Sequence, residues 1–122
     1  MSQQTILTVD DSRTMRRMLR MTLEESGYRV IEAEDGLLGL KALEAEVPDV
    51  IVTDINMPNM DGFGFIDAVR AQAKFAGVPI LVLTTESDRA LKDRARDAGA
   101  TGWITKPFEQ NRLVDVVRKV AV

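Results

Sequence analysis

Asp10 and Asp11 stand directly after the apolar run Ile6-Leu7-Thr8-Val9, and Asp54 directly after Val50-Ile51-Val52-Thr53. Thr84 and Thr85 close the run Ile80-Leu81-Val82-Leu83, and Lys106 follows Trp103-Ile104-Thr105. Acids at two run ends, hydroxyls at a third and an ammonium at a fourth put a polar group at the end of every one of these runs. If the first and third runs are neighbours, three carboxylates converge, and two like charges about 4 Å apart repel by about 4 kcal/mol at an effective dielectric of about 20. A hard divalent cation relieves that repulsion, with Mg²⁺ typically taking one or two carboxylates. Lys106 can add a fixed positive charge. Taken singly, the residues have plainer readings. Asp10-Asp11-Ser12 also suits a helix start, because acids favour helix N-termini; a lone lysine is usually solvated, and a lone threonine often ends a strand. Asp54 resists such a reading, since it starts no helix. The joint placement favours chemistry.

Composition narrows that chemistry. The chain has 122 residues, enough for one domain. It has no cysteine and no histidine, so thiolate sites, cysteine nucleophiles and histidine bases are excluded. A metal would be held by oxygen alone, which favours Mg²⁺, with Mn²⁺ or Ca²⁺ as substitutes, over zinc. A net charge of −3 offers no basic footprint for nucleic acid. No apolar run nears the roughly 20 residues of a membrane helix. The start, Met1-Ser2-Gln3-Gln4, lacks signal-peptide features. A cytoplasmic protein is expected.

The elements that must position these residues alternate along the chain. The three runs ending before Asp10, Asp54 and Thr84 are continuously apolar, as strands buried on both faces of a parallel sheet are. Arg29-Val30-Ile31-Glu32-Ala33 and Trp103-Ile104-Thr105 are weaker and suit sheet edges. Between them lie helical periods. From Ser12, an N-cap, come Met15, Met18, Leu19, Thr22 and Leu23, stopped by Gly27; Met15, Met18 and Met21 suit core and rim. A second helix from near Asp35 sets Leu37, Leu40 and Leu43 on its core side, and Pro48 ends it. A third from Asp61 presents Phe65, Ile66 and Val69. A fourth, about Ser87 to Ala98, has only Leu91, Ala95 and Ala98, and a fifth from Gln110 carries Leu113, Val116, Val117 and Val120. Five strands alternating with five helices predict a doubly wound α/β domain. Its ligands bind beyond the carboxyl ends of the strands, where the residues singled out above stand.

Val9-Asp10-Asp11-Ser12, Asp54-Ile55-Asn56-Met57-Pro58-Asn59-Met60-Asp61-Gly62, Leu83-Thr84 and Lys106-Pro107-Phe108 together resemble the response-regulator receiver family. The resemblance runs from about Thr5 to the last helix. It implies the flavodoxin-like strand order 2-1-3-4-5 and a single receiver domain over residues 1–122 without an output domain. It also implies that Asp54 accepts a phosphoryl group from a histidine kinase. Asp10, Asp11, Asp54 and the backbone carbonyl of Asn56 would hold Mg²⁺, while Thr84 and Lys106 would bind phosphoryl oxygens. The Lys106–Pro107 bond would be cis, and Trp103 would occupy the aromatic switch position, where tyrosine or phenylalanine is commoner.

Thr14-Met15-Arg16-Arg17, Ala33-Glu34-Asp35-Gly36, Asn56 and Glu86 are most similar to the CheY-type chemotaxis branch. Asn56 and Glu86 flank the site and would modulate it. So would Thr85, which stands where alanine or glycine is usual. The implied partners are a chemotaxis histidine kinase and a flagellar motor switch protein, bound by a monomer. An intermediate in a phosphorelay, serving a histidine phosphotransferase, is the alternative. Catalysis would be limited to the chain's own phosphorylation and dephosphorylation. The sparse apolar face of the fourth helix suits a movable element, so an output face is expected on helix four, strand five and helix five, with Asp88, Arg89, Lys92 and Arg96 exposed near Trp103. A dehalogenase-type phosphatase would need Asp-x-Asp after the first strand, a flavodoxin-type site would be repelled by Asp10-Asp11, and a pseudo-receiver is at odds with the intact acid, threonine and lysine set.

Overall fold

The computed structural model describes residues 3–121, so Met1, Ser2 and Val122, which bear on the reading of the chain ends, lie outside the described residues. The strands are β1 (Thr5–Val9), β2 (Arg29–Ala33), β3 (Val50–Thr53), β4 (Ile80–Thr84) and β5 (Gly102–Thr105). The helices are α1 (Arg13–Glu25), α2 (Gly36–Ala45), α3 (Gly62–Arg70), α4 (Arg89–Ala98) and α5 (Gln110–Val120). All strand pairs are parallel, in the order β2-β1-β3-β4-β5, as expected. No helix among the described residues is long and apolar enough to cross a membrane.

Strand side chains alternate between faces, so each continuous apolar run feeds two cores. Leu7, Val9, Ile51, Ile80 and Val82 pack with Leu43 of α2, Phe65, Ile66 and Val69 of α3 and Ala95 of α4. Ile6, Val50, Val52, Leu81 and Leu83 pack with Leu19 and Leu23 of α1 and Leu113 and Val117 of α5. Four helix starts are capped by a side chain: Ser12 accepts from the Met15 amide, Asp35 from Leu38, Asp61 from Gly64 and Asp88 from Ala90.

Three details differ from the sequence expectation. Leu37 is 51% exposed and does not face the core. On α2 the buried residues are Gly36, Gly39 and Leu43, with Leu40 packed against the core as expected. Gly39 lies against the Phe65 ring, with no room for a side chain. That close approach rotates Leu37 outward. A short 3₁₀ turn, Ala73–Phe75, precedes β4 and buries Phe75 completely, although no helical period announces it. On α1, Met15 and Met18 pack against the core as expected, whereas Met21 is 59% exposed.

Candidate functional site

The register sets the site. Val9 pairs with Thr53, so Asp10 and Asp54 leave adjacent strands side by side. The Asp54 amide donates to the Val9 carbonyl (2.9 Å), which locks that adjacency. One carboxylate oxygen from each of Asp10, Asp11 and Asp54 lies within 4.8 Å of the others. Asp10 is buried, Asp54 half-buried and Asp11 exposed at the rim. At the far side of the sheet Thr84 pairs with Thr105, and the Lys106 amide donates to the Thr84 carbonyl (2.7 Å). This returns the lysine side chain over the acids. Its Nζ donates to Asp10 Oδ2 at 2.9 Å and to Asp54 Oδ2 at 3.1 Å. The Lys106–Pro107 peptide is cis.

Burial raises the pKa of Asp10; the hydrogen bonds from Lys106 and the Ser12 amide only partly oppose it, and the charge of Asp54 adds to the rise. Burial alone would lower the pKa of Lys106, but hydrogen bonds and charge attraction from Asp10 and Asp54 outweigh it and hold the ammonium protonated. Asp10 and Asp54 thus share one ammonium, and Asp11 stands beside them without it. The remaining negative charge, carried on hard oxygen donors at close range, fits a divalent cation of the Mg²⁺ type.

The other site residues are distributed around this cluster. Thr84 is fully buried, and its hydroxyl accepts from the Glu86 amide (3.4 Å). The Asn56 side-chain amide donates to Glu86 Oε1 (3.0 Å), so the two flanking residues meet. Trp103 is half-buried on β5, and its indole N–H donates to the Glu86 carbonyl (3.1 Å). Glu86 therefore touches Asn56 at the site, Thr84 behind it and Trp103 on the neighbouring edge strand. Thr85 is exposed at the strand end. Arg89, Lys92 and Arg96 are exposed on α4, with Arg96 close to Asp93 and Asp97, while exposed Asp88 caps the helix. A cleft of about 220 Å³ runs between Lys92, Ala95, Arg96 and Trp103.

Two supports were not anticipated. Arg16 donates to the Asp10 carbonyl (2.7 Å) and lies beside Glu32 (3.4 Å). Asp35 accepts from Asn59 (2.7 Å), a residue with φ of 67°. The asparagine, which tolerates the left-handed region, was the only hint in the sequence.

The model of the response regulator receiver domain matches residues 6–118. The chain belongs to the response-regulator receiver family. This receiver is 42% identical over 117 residues to the chemotaxis protein CheY1 of Helicobacter pylori, covering 94% of each chain. It is 37% identical over 116 residues to the sensor histidine kinase CheAY of the same species, spanning 93% of this chain but 14% of the kinase. Among solved structures, Vibrio cholerae chemotaxis protein CheY4 has a TM-score of 0.93 at 41% identity, covering 98% of this chain and 99% of that one. The receiver domain of a Pseudomonas aeruginosa sensor histidine kinase has a TM-score of 0.91 at 28% identity, over 98% of each chain. That structure holds a magnesium ion coordinated in its active-site cleft. The receiver is thus of the CheY type, a signalling protein whose relatives are consistent with chemotaxis.

Proposed function

We propose that this receiver takes a phosphoryl group on Asp54 from a phosphohistidine of a histidine kinase and signals by binding another protein. The observation that carries the reading is the bridge of Lys106 between Asp54 and Asp10, beside Asp11, at the carboxyl edge of the sheet. An Asp54 carboxylate oxygen forms the new bond to phosphorus as the donor's P–N bond breaks and the imidazole leaves with the electron pair. Lys106 moves from the carboxylate to a phosphoryl oxygen, and the Thr84 hydroxyl donates to another, so both neutralise charge on the transferred group. Asp10, Asp11, Asp54 and the Asn56 carbonyl would hold Mg²⁺, with Mn²⁺ or Ca²⁺ as substitutes. Bound there, the cation supplies charge neutralisation for the phosphoryl oxygens.

Asn56, Thr85 and Glu86 line the approach and set how readily water reaches the acyl phosphate. Once Thr84 turns toward the phosphoryl group, Trp103 repacks, and the face made by Asp88, Arg89, Lys92 and Arg96 changes its affinity for a target; such coupling is typically worth about 1–3 kcal/mol. A flagellar motor switch protein is the favoured target, with a cytoplasmic site of action. The chemotaxis proteins among the relatives support this choice.

The test uses Trp103, the single tryptophan. Mg²⁺ should change its fluorescence, and acetyl phosphate in the presence of Mg²⁺ should change it further. Asp54→Asn should fold and lose the second response. A variant that still gains mass from the phosphodonor would show that the acceptor lies elsewhere.

A further inference from the structure

The loop between β3 and α3 carries Asn56, and it is anchored at two places. The first anchor is local: the Gly62 amide donates to the Ile55 carbonyl (2.8 Å), and a Cβ at Gly62 would stand 2.3 Å from the Asp54 carbonyl oxygen. The second reaches another helix. Asn59 donates to Asp35 Oδ2 (2.7 Å), and the Gly36 amide donates to the Met60 carbonyl (3.2 Å). Gly36 is pressed against the loop, since a Cβ there would lie 2.7 Å from Met60 Cγ. Asn56 and Met57 lie between the anchors.

Asp35 divides its oxygens. Oδ1 accepts from the Leu38 amide (2.9 Å) and caps α2, while Oδ2 holds Asn59. Capping needs only one oxygen, and serine serves about as well. The turn at Asn59 needs only a residue that accepts positive φ, and glycine does so most readily. Neither local requirement calls for this pairing, yet its acceptor is 95% buried, with 5% relative exposure. A cation site needs its ligands held to within about 0.5 Å, and a loop tied only where Gly62 meets Ile55 would not hold a carbonyl that well.

We propose that Asp35 and Asn59 are positioning residues for the cation site, their hydrogen bond fastening the loop that presents the Asn56 carbonyl. The inference rests on the assignment of that carbonyl to the metal under the proposed function. Neither residue touches the cation; each acts through the loop.

Asp35→Ser keeps a capping oxygen but is too short to reach Asn59, and Asn59→Gly keeps the turn but deletes the amide. Mg²⁺ affinity is titrated by Trp103 fluorescence, and the Asn56 amide resonance is followed in metal-free protein. Each single change should weaken Mg²⁺ about three- to tenfold, below the 10–100-fold typical of groups bonded to a ligand itself. The double variant should be no weaker than either single one, and the Asn56 amide should shift in all three before metal is added. Asp35→Asn combined with Asn59→Asp restores the bond with donor and acceptor exchanged, and should recover affinity. Wild-type affinity in the single variants, or an exchange variant as weak as they are, overturns the proposal while leaving the site intact. Absence of any Mg²⁺ response in the wild-type protein overturns the site and this inference together.

Discussion

Replacing Lys106 by methionine keeps the apolar stem and removes the ammonium that lies 2.9 Å from Asp10 Oδ2 and 3.1 Å from Asp54 Oδ2. All three side chains are nearly buried, at 10%, 3% and 12% exposure, so solvent screens the loss poorly. Asp10 is already pushed toward its neutral form by burial. Without its partner it takes up a proton rather than remain a buried, unpaired anion. Leaving a nearly buried polar group without its hydrogen-bonded partner typically costs about 1–3 kcal/mol, more where the group is charged, so a loss of roughly 2–3 kcal/mol is expected for the substitution.

The pH dependence follows from the sign of the shift. An acid whose folded pKa is raised destabilises the fold above its unfolded value, and the penalty fades as pH falls through the raised one. The stability gap between Lys106→Met and wild type should therefore narrow from pH 7 to pH 4, close to the ordinary carboxylate value of 3.8. Mg²⁺ should narrow the gap further, because the cation replaces the lost ammonium between the acids and so binds the variant more tightly than wild type; a ligand at about 100 times its dissociation constant adds about 2.7 kcal/mol to whichever protein holds it. Urea unfolding at both pH values, with and without Mg²⁺, gives all four numbers; with a slope of about 1–3 kcal/mol/M, the midpoint should drop by roughly 1–2 M at pH 7. A loss below about 0.5 kcal/mol, or one equal at both pH values, would refute the electrostatic account of the site.

Two further expectations rest on other contacts. Asp35 is held below the usual carboxylate range by the Leu38 amide and then by the Asn59 side chain. Its contribution should be complete above the unfolded value of 3.8 and disappear as pH falls through the lower folded one, so the stability gap between wild type and Asp35→Asn should close on acidification, measured by guanidinium unfolding. Gly39→Ala would bring a methyl within 2.8 Å of Phe65 Cε1 and 3.2 Å of Val9 Cγ2, so α2 must shift; a loss of about 1–3 kcal/mol is expected in urea unfolding, and an unchanged midpoint would show that α2 is not held by this contact.

Much of the site was legible before folding was considered. The runs ending before Asp10, Asp54 and Thr84 show their burial in their own composition, because a strand covered on both faces must be apolar at every position. Those ends place the polar residues on one edge of any parallel sheet. The cap at Ser12 and the helix starts at Asp35 and Asp61 were equally local, since each serves an amide three residues away, whereas the fourth helix, expected from about Ser87, is capped by Asp88. Helix faces were less legible. The leucines of α2 suggested Leu37 as core, whereas contact through Gly39 turned it to solvent. A glycine carries no hydrophobic signal, so packing that depends on a missing side chain leaves no periodic trace.

The sequence by itself determined the elements and the edge on which the chemistry would lie. Tertiary structure decided which ends meet. Asp10 and Lys106 are 96 positions apart, and Asp35 and Asn59 are 24 apart on different connections. Hydrophobic periodicity is a local property and does not say which strands are neighbours. Only the order β2-β1-β3-β4-β5 and the pairing of Val9 with Thr53 bring the acids within reach of one cation. Only the return of the chain after β5 lays the lysine across them, because that contact depends on how the separate layers pack rather than on any stretch of the chain.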